Sequence, residues 1–143
     1  MLCLSVNVRK LKVFIAVILS IMLCAGILIL IKNKPDNSIM LPTSSSRISF
    51  LNINGCNVYE KPVECSSVTI PSEFNAVYEA YNEIQLEQGF DLSAYKGEKA
   101  DIYTYKMQDC DDMLAILIIC NDKLIGCEKH SQEYGSGFQR ILE

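Results

Sequence analysis

The sequence predicts an α+β domain carried by an N-terminal transmembrane helix. Three observations lead to this prediction. One apolar segment, Val13 to Ile31, is long enough to cross a bilayer. A stripe of apolar residues at helical spacing follows Pro71. Three strand-like segments then occupy the C-terminal part of the chain, and they predict an antiparallel β-meander with the helices packed on one face of the sheet.

The predicted anchor, Val13 to Ile31, is nineteen residues long, and its only polar member is Ser20. At a helical rise of about 1.5 Å per residue it extends about 28 Å, close to a hydrocarbon thickness of about 30 Å. We assign 1–34 to the N-terminal tail and anchor, with the helix at about 12–31. A cleavable signal peptide is the alternative, but its apolar region normally has only about 7 to 15 residues. An uncleaved anchor is therefore favoured.

Charge divides the chain into two parts. Five basic residues and no acidic ones precede Pro35, whereas eight basic and seventeen acidic residues follow it, which leaves a net charge of -9. Such a domain repels polyphosphates, so no nucleic acid is expected as a partner. The basic residues are slightly biased toward the N-terminal side of the anchor. This favours a single-pass cell-membrane protein with its N-terminus inside and its C-terminal domain extracytoplasmic. A cytoplasmic domain stays open as an alternative.

Residues 35–46 are predicted to form a linker, since they contain two prolines and three consecutive serines without periodicity. The α+β domain is assigned to 47–143. The serines at 44–46 offer N-caps for a short helix that Gly55 ends. The chain then has β-branched and aromatic character interrupted by Pro62, which permits edge strands up to Ile70.

The helix predicted after Pro71 has the clearest pattern. Ser72 can cap its start, and Gly89 can take the left-handed conformation at its C-terminal end. Its apolar residues recur at helical spacing, as on an amphipathic helix seated on a core. They are Phe74, Val77, Tyr78, Tyr81 and Ile84.

The strands are predicted at Ala100 to Met107, Met113 to Cys120 and Lys123 to Ser131. The middle strand is apolar on both faces, which predicts a central position in the sheet. Asn121 and Asp122 tolerate the positive φ of a two-residue hairpin turn. With that turn, Cys120 faces Lys123, and Cys127 lies opposite Ile116.

The chain has seven cysteines, and their spacing does not determine any disulfide connectivity. Five of them belong to the domain: Cys56, Cys65, Cys110, Cys120 and Cys127. Along the strand, Cys127 and Cys120 are separated by about 13 Å, beyond the disulfide range of about 4.4 to 6.8 Å, so no bond is expected between them.

Cys127 and the single histidine, His130, resemble a fragment of a zinc site or of a thiol and imidazole pair. Residues three apart in a strand point to opposite faces, and the paired spacing of structural zinc modules is missing. We therefore expect no metal site, no cofactor and no catalytic residue. A thiol- or metal-dependent activity centred on Cys127, with Cys110 and Cys120, is the alternative function.

Two groups of residues are candidates for an interaction surface. Glu79, Glu83 and Glu87 form an acidic row on the helix after Pro71, where a solvated face is the simpler explanation. Tyr103 and Tyr105 share one strand face and could form a platform for a ligand, although amphipathic Tyr also lies at the rim of small cores.

Several short motifs, taken in order, resemble the domain-of-unknown-function family 4830. They are Val68-Thr-Ile-Pro71, Phe74, Val77-Tyr78, Tyr81-Asn82, Gln88 to Leu92, Tyr95-Lys-Gly97, Tyr103-Thr-Tyr105 and Leu124-Ile-Gly126. The resemblance covers about Arg47 to Phe138. Cys56 stands where the family often has Trp, and Cys127-Glu128 stands where Gly-Asp would continue the last motif.

The resemblance implies a bacterial, membrane-anchored, outward-facing domain, and it implies no activity. From the residues and the resemblance together, we expect a non-enzymatic protein whose domain binds an envelope protein, a peptide or a small ligand.

Overall fold

A computed structural model describes residues 38–133 and 137–142 of the chain. The predicted anchor, Val13 to Ile31, lies outside these residues. Within the described part of the chain, no helix combines the length and the apolar character needed to cross a bilayer.

The described residues form an α+β domain, as predicted. In chain order its elements are α1 (Ser44–Ile53), β1 (Glu64–Thr69), α2 (Ala76–Leu86), a 3-10 helix (Leu92–Tyr95), β2 (Lys99–Lys106), β3 (Met113–Cys120) and β4 (Lys123–Ser131). The strands form one antiparallel sheet in the order β1-β2-β3-β4, which is the expected meander. Strands β3 and β4 have the predicted bounds, and the extended segment before Pro71 contributes the edge strand β1.

The helices cover opposite faces of the sheet, which corrects the prediction that they share one face. On one face, Leu51 of α1 packs in a core with Leu117 and neighbouring residues of β3. On the other face, Ile118 of β3 packs with Leu92, and Tyr81 of α2 packs against this second cluster. Successive side chains of a strand point to opposite faces, so the doubly apolar β3 needs cover on both.

Helix α1 begins at a capping box that includes one residue before the predicted serines. Thr43 is the N-cap, and its hydroxyl accepts from the Ser46 backbone N–H at 3.1 Å, while the Thr43 N–H donates to the Ser46 hydroxyl at 3.1 Å. The helix ends at Ile53, just before Gly55, which agrees with the predicted stop. Gly55 has φ +78°, and the following Cys56 N–H donates to the Leu51 carbonyl at 2.9 Å.

Part of the segment predicted as a linker is structured. Leu41 is only 4% exposed and belongs to the core beneath α1. Its N–H donates to the Asp122 carbonyl at 2.7 Å, and the Leu124 N–H donates to the Ile39 carbonyl at 2.8 Å. The chain from Ile39 to Leu41 therefore pairs with the start of β4, and this long-range pairing is invisible in the local composition.

The β3–β4 hairpin has the predicted turn. Asn121 and Asp122 have φ +50° and +64°, and Cys120 pairs with Lys123. Positive φ at both central residues is the signature of a type I′ turn, which suits the right-handed twist of the two strands.

The register further along this hairpin differs from the prediction. Cys127 lies opposite Leu117 instead of Ile116, because the pairing shifts between Ile118 and Ile119. The extra residue on β4 is Ile125, a β-bulge that the alternation of side chains does not reveal.

Candidate functional site

Helix α2 begins later than predicted. Its N-cap is Asn75, whose side-chain oxygen accepts from the Tyr78 N–H at 3.0 Å, so Ser72 and Phe74 lie before the helix. Its C-terminal end is as expected. Gly89 has φ +86°, and the N–H of Phe90 donates to a carbonyl in the last turn at 3.0 Å.

The most buried residues of α2 are polar, although Phe74 and Tyr81 of the predicted apolar stripe do pack against a core cluster. Asn82 and Gln85 are the buried residues of the helix, whereas Val77 of the predicted stripe is 75% exposed. Asn82 and Gln85 directly follow two stripe residues, Tyr81 and Ile84, in the sequence, so the polar face lies beside the stripe around the helix axis. The other residues of the stripe, Val77, Tyr78 and Ile84, line a groove.

Amide side chains hold α2 in place. The Asn82 Oδ1 accepts from the Leu92 N–H at 2.8 Å. The Gln85 Oε1 accepts from the Cys127 N–H at 3.0 Å, and the Gln88 Nε2, just beyond the helix, donates to the Cys127 carbonyl at 2.8 Å. The two glutamine bonds satisfy backbone groups on the edge of β4, which would otherwise be buried without partners. They fix the helix at the sheet edge without requiring close apolar packing beneath it.

A groove of about 670 Å³ lies between α2 and the sheet. Its walls are apolar and aromatic except for one carboxyl group, that of Glu128 on β4. The lining residues are Val68, Ile70, Ala76, Val77, Tyr78, Ala80, Tyr81, Ile84, Leu92, Ile102, Ile118, Glu128 and Phe138. Small-molecule sites typically occupy about 300 to 1,000 Å³ and have this composition of many apolar groups with few polar ones.

Glu128 is the chemically unusual residue of the groove. It is 4% exposed, and burial raises the pKa of its carboxyl to about 7, against which a hydrogen bond from Tyr81 acts weakly. The Glu128 Oε2 has no hydrogen-bond partner among the described residues. The nearest basic atom, His130 Nδ1, lies 3.8 Å from Oε1, which is too long for a hydrogen bond.

Two further polar atoms near Glu128 lack partners within residues 38–133 and 137–142. They are Gln85 Nε2 and His130 Nδ1, both shielded from solvent. Tyr81 interacts with both Glu128 and Gln85, and burial together with the Glu128 charge raises the pKa of its hydroxyl. An unpartnered buried polar atom costs free energy, so such a cluster is a site where a ligand can supply the missing hydrogen bonds.

Aromatic rings stand beside the carboxyl. The Phe138 ring lies edge-on to the Tyr81 ring, with centroids 5.4 Å apart, and edge-on to the His130 ring at 5.8 Å. These contacts bring α2, β4 and the C-terminal segment together at one end of the groove. Sequence reasoning did not single out Glu128, because the burial of its face of β4 depends on α2 and on the bulge.

The residues predicted as an interaction surface are not brought together. Glu79, Glu83 and Glu87 are exposed on α2, and Glu87 forms an ion pair with Arg140 at 3.1 Å. The predicted tyrosine platform lies on the other face of the sheet, under α1.

The two tyrosines share a strand face, as expected, but Tyr105 is covered and Tyr103 is half-buried. Tyr105 is fully buried, and its hydroxyl accepts from the Arg47 Nε at 3.2 Å. The Arg47 guanidinium also lies 4.0 Å above the centre of the Tyr103 ring. Tyr105 therefore has no surface to offer a partner.

The five cysteines of the domain are free thiols. Cys127 and Cys120 belong to cores on opposite faces of the sheet. Burial raises the pKa of Cys127 to about 12, and His130 lies on the other face, beside Glu128. In the part of the chain that the structure describes, no three His, Cys, Asp or Glu residues are placed to hold a metal ion.

Comparison with known proteins gives one match. The family described as Domain of unknown function (DUF4830) matches residues 51–128. That segment contains β1, α2, β2 and β3 entirely, and it includes every residue that lines the groove except Phe138. No curated protein and no solved structure matches the chain.

Proposed function

We propose that the domain of this chain, which belongs to the DUF4830 family, is a non-enzymatic binding module for a small ligand with an apolar body. The observation that carries this proposal is the groove between α2 and the sheet, about 670 Å³ in volume and apolar except for the buried carboxyl of Glu128. Binding there would remove exposed apolar surface, such as that of Val77 and Phe138, from water.

The chemistry of the groove supports binding more than catalysis. Among the described residues, its polar groups are one carboxyl and the tyrosine hydroxyls, and no Ser, Cys or Lys of this part of the chain lines it. The thiolate is the reactive form of cysteine, and Cys127 has a raised pKa and faces the other core. These observations weigh against the alternative of a thiol-dependent activity centred on Cys127.

The proposal includes an N-terminal anchor at Val13 to Ile31 that places the domain outside the cytoplasm, where it would meet ligands of the cell envelope. The length of the apolar segment and the bias of basic residues support this placement. Two exposed thiols, Cys65 and Cys110, make the topology testable.

The topology test uses a membrane-impermeant maleimide on intact cells that produce the full chain with Cys3→Ser and Cys24→Ser. We expect labelling at Cys65 and Cys110 in intact cells, and a matched chain with both residues changed to Ser should stay unlabelled. Labelling of Cys65 and Cys110 only after lysis would place the domain in the cytoplasm and contradict this part of the proposal.

The binding test uses the full chain in lipid nanodiscs with labelled isoleucine methyl groups, titrated with 4-phenylbutan-1-ol. Ile118 lines the groove and Ile119 lies in the opposite core, so these neighbours form an internal control. We expect saturable shifts of the Ile118 methyl signal and not of the Ile119 signal.

Ala80→Trp should abolish these shifts, because Ala80 lines the groove and the indole would fill it. Ala94→Trp is the matched control, since Ala94 is exposed and lies outside the groove. Equal shifts at both isoleucines, or shifts that Ala80→Trp leaves unchanged, would refute binding in the groove.

A further inference from the structure

We infer that the ligand of this groove is a hydrophobic primary amine, whose ammonium group pairs with the Glu128 carboxylate while its apolar part lies between α2 and the sheet. This inference rests on the proposed function and adds the chemical class of the ligand. It stands on three observations: the buried carboxyl whose Oε2 has no partner among the described residues, the aromatic rings beside it, and the negative charge of the domain.

The first observation concerns the unmet requirement of Glu128. A carboxylate taken out of water is stable only when a cation or several hydrogen-bond donors face it. Glu128 Oε2 has neither among the described residues. The Glu128 residue is only 4% exposed and lines the groove. A ligand that brings an N–H donor and a positive charge supplies both.

Within residues 38–133 and 137–142, no Lys or Arg side chain forms an ion pair with Glu128. To the surroundings of Glu128, helix α2 contributes Tyr81 and Gln85, β3 contributes Ile116, which pairs with Glu128, and β4 contributes His130 at 3.8 Å. Lys129, the next residue along β4, points to the opposite face, where its charge acts on the thiol of Cys56. The C-terminal segment adds the ring of Phe138, which contacts Tyr81 and His130.

The second observation concerns these rings. The faces of Tyr and Phe carry negative partial charge and attract cations within about 6 Å of the ring centre. Tyr81 and Phe138 lie at the end of the groove that contains Glu128, and Tyr78 lines the same groove. A carboxylate next to aromatic rings favours an organic ammonium group over a strongly hydrated metal ion. It also disfavours an anionic head group, such as that of a fatty acid.

The third observation is the charge of the domain, which is -9 from Asp36 onward. A field of this sign raises the local concentration of cations and lowers that of anions. The exposed row of Glu79, Glu83 and Glu87 lies on α2, the same helix that forms one wall of the groove. The net charge of the domain and the charge of the Glu128 carboxylate therefore both favour an amine.

The test compares three ligands of the same shape: 4-phenylbutylamine, 4-phenylbutan-1-ol and 4-phenylbutanoate. Affinity for the full chain in lipid nanodiscs is measured by calorimetry, with empty nanodiscs as the blank for partition into lipid. Near pH 8 the amine is expected to bind about tenfold more tightly than the alcohol, since a charge-assisted hydrogen bond replaces a neutral one. In Glu128→Gln the alcohol should still bind, and the amine should bind with about the same affinity as the alcohol.

The pH profile of the wild-type chain is a second readout that does not depend on the folding of a variant. Between about pH 8 and pH 5.5 the amine should lose most of its roughly tenfold advantage in affinity, because Glu128 becomes protonated. The affinity for the alcohol should stay nearly constant. Glu128→Gln retains every other ionisable group, so any pH dependence left in that variant does not come from the Glu128 carboxyl.

The outcomes separate the two proposals. If the alcohol binds in the groove as tightly as the amine, or if the carboxylate ligand binds most tightly, the amine inference is wrong and the proposed function stands. If none of the three ligands binds to the wild-type chain, both proposals fail. Loss of the amine preference in Glu128→Gln, together with the expected pH profile, would support both.

Discussion

The side chain of Gln88 bridges the edge strand β4 and the C-terminal segment. Its Nε2 donates to the Cys127 carbonyl at 2.8 Å, and its Oε1 accepts from the backbone N–H of Ile141 at 2.8 Å. The amide thus satisfies backbone groups that lie 39 and 53 residues beyond Gln88 in the sequence. Through it, the end of α2, the edge of β4 and the chain after Gly137 form one connected structure.

Gln88→Ala should therefore destabilise the domain by about 1 to 3 kcal/mol, since it leaves buried backbone groups of Cys127 and Ile141 without partners. Gln132→Ala is the matched control, because Gln132 is exposed, and it should change the free energy of unfolding by less than about 0.5 kcal/mol. Urea unfolding of the full chain in nanodiscs, followed by circular dichroism, measures both changes. Equal effects of the two substitutions would show that the bridge adds no stability.

Glu128 should make the stability of the domain depend on pH. Its folded-state pKa is raised to about 7, so the folded state holds the proton more tightly than the unfolded state does. The resulting stabilisation of the folded state is fully present below the unfolded pKa of about 4.5. It is lost as the pH rises through about 7, at roughly 1.4 kcal/mol per pH unit.

Glu128→Gln removes this titration. Relative to the wild-type chain, the variant should gain about 3 kcal/mol in the free energy of unfolding between about pH 4.5 and pH 8. The other acidic groups are common to both chains and cancel in the difference. Denaturant unfolding of both chains across this pH range is the measurement. A difference that does not change with pH would mean that the Glu128 carboxyl titrates normally.

Leu41→Ala should destabilise the domain by about 2 to 4 kcal/mol, because the side chain is almost completely buried in the core beneath α1. The neighbouring Met40 is mostly exposed, so Met40→Ala should cost less than about 1 kcal/mol. Thermal or urea unfolding distinguishes the two. If Leu41→Ala were as mild as Met40→Ala, the chain before α1 would behave as the linker that its composition predicts.

The cysteines should separate into two reactivity classes in the folded chain. Cys65 and Cys110 are exposed and should react quickly with iodoacetamide at neutral pH. Cys56, Cys120 and Cys127 are buried and have raised pKa values, so they should react only after unfolding. Mass spectrometry of peptides from native and denatured samples locates the modified thiols. Rapid native alkylation of Cys127 would restore the thiol-dependent alternative.

The elements that sequence reasoning predicted well are those specified by neighbouring residues. Strands β3 and β4 and the turn at Asn121 and Asp122 follow from local alternation and turn chemistry. The positions where α1 and α2 end follow from Gly55 and Gly89, since few other residues adopt positive φ easily.

The errors concern contacts between distant parts of the chain. The helices were expected on one face, yet α1 and α2 cover opposite faces because β3 is apolar on both. The pairing of Cys127 with Leu117 depends on a bulge at Ile125, and no local pattern marks that residue as inserted.

The amino-acid sequence alone determined the α+β class, the acidic charge of the domain and the local stops and turns, because each of these depends on composition or on residues close in the chain. Only the tertiary structure decided that amide side chains hold α2 at the sheet edge. The bond from the Cys127 N–H to Gln85, 42 residues earlier, is an example. That arrangement leaves the groove open and buries Glu128, since burial depends on which distant surfaces meet and not on the identity of the residue.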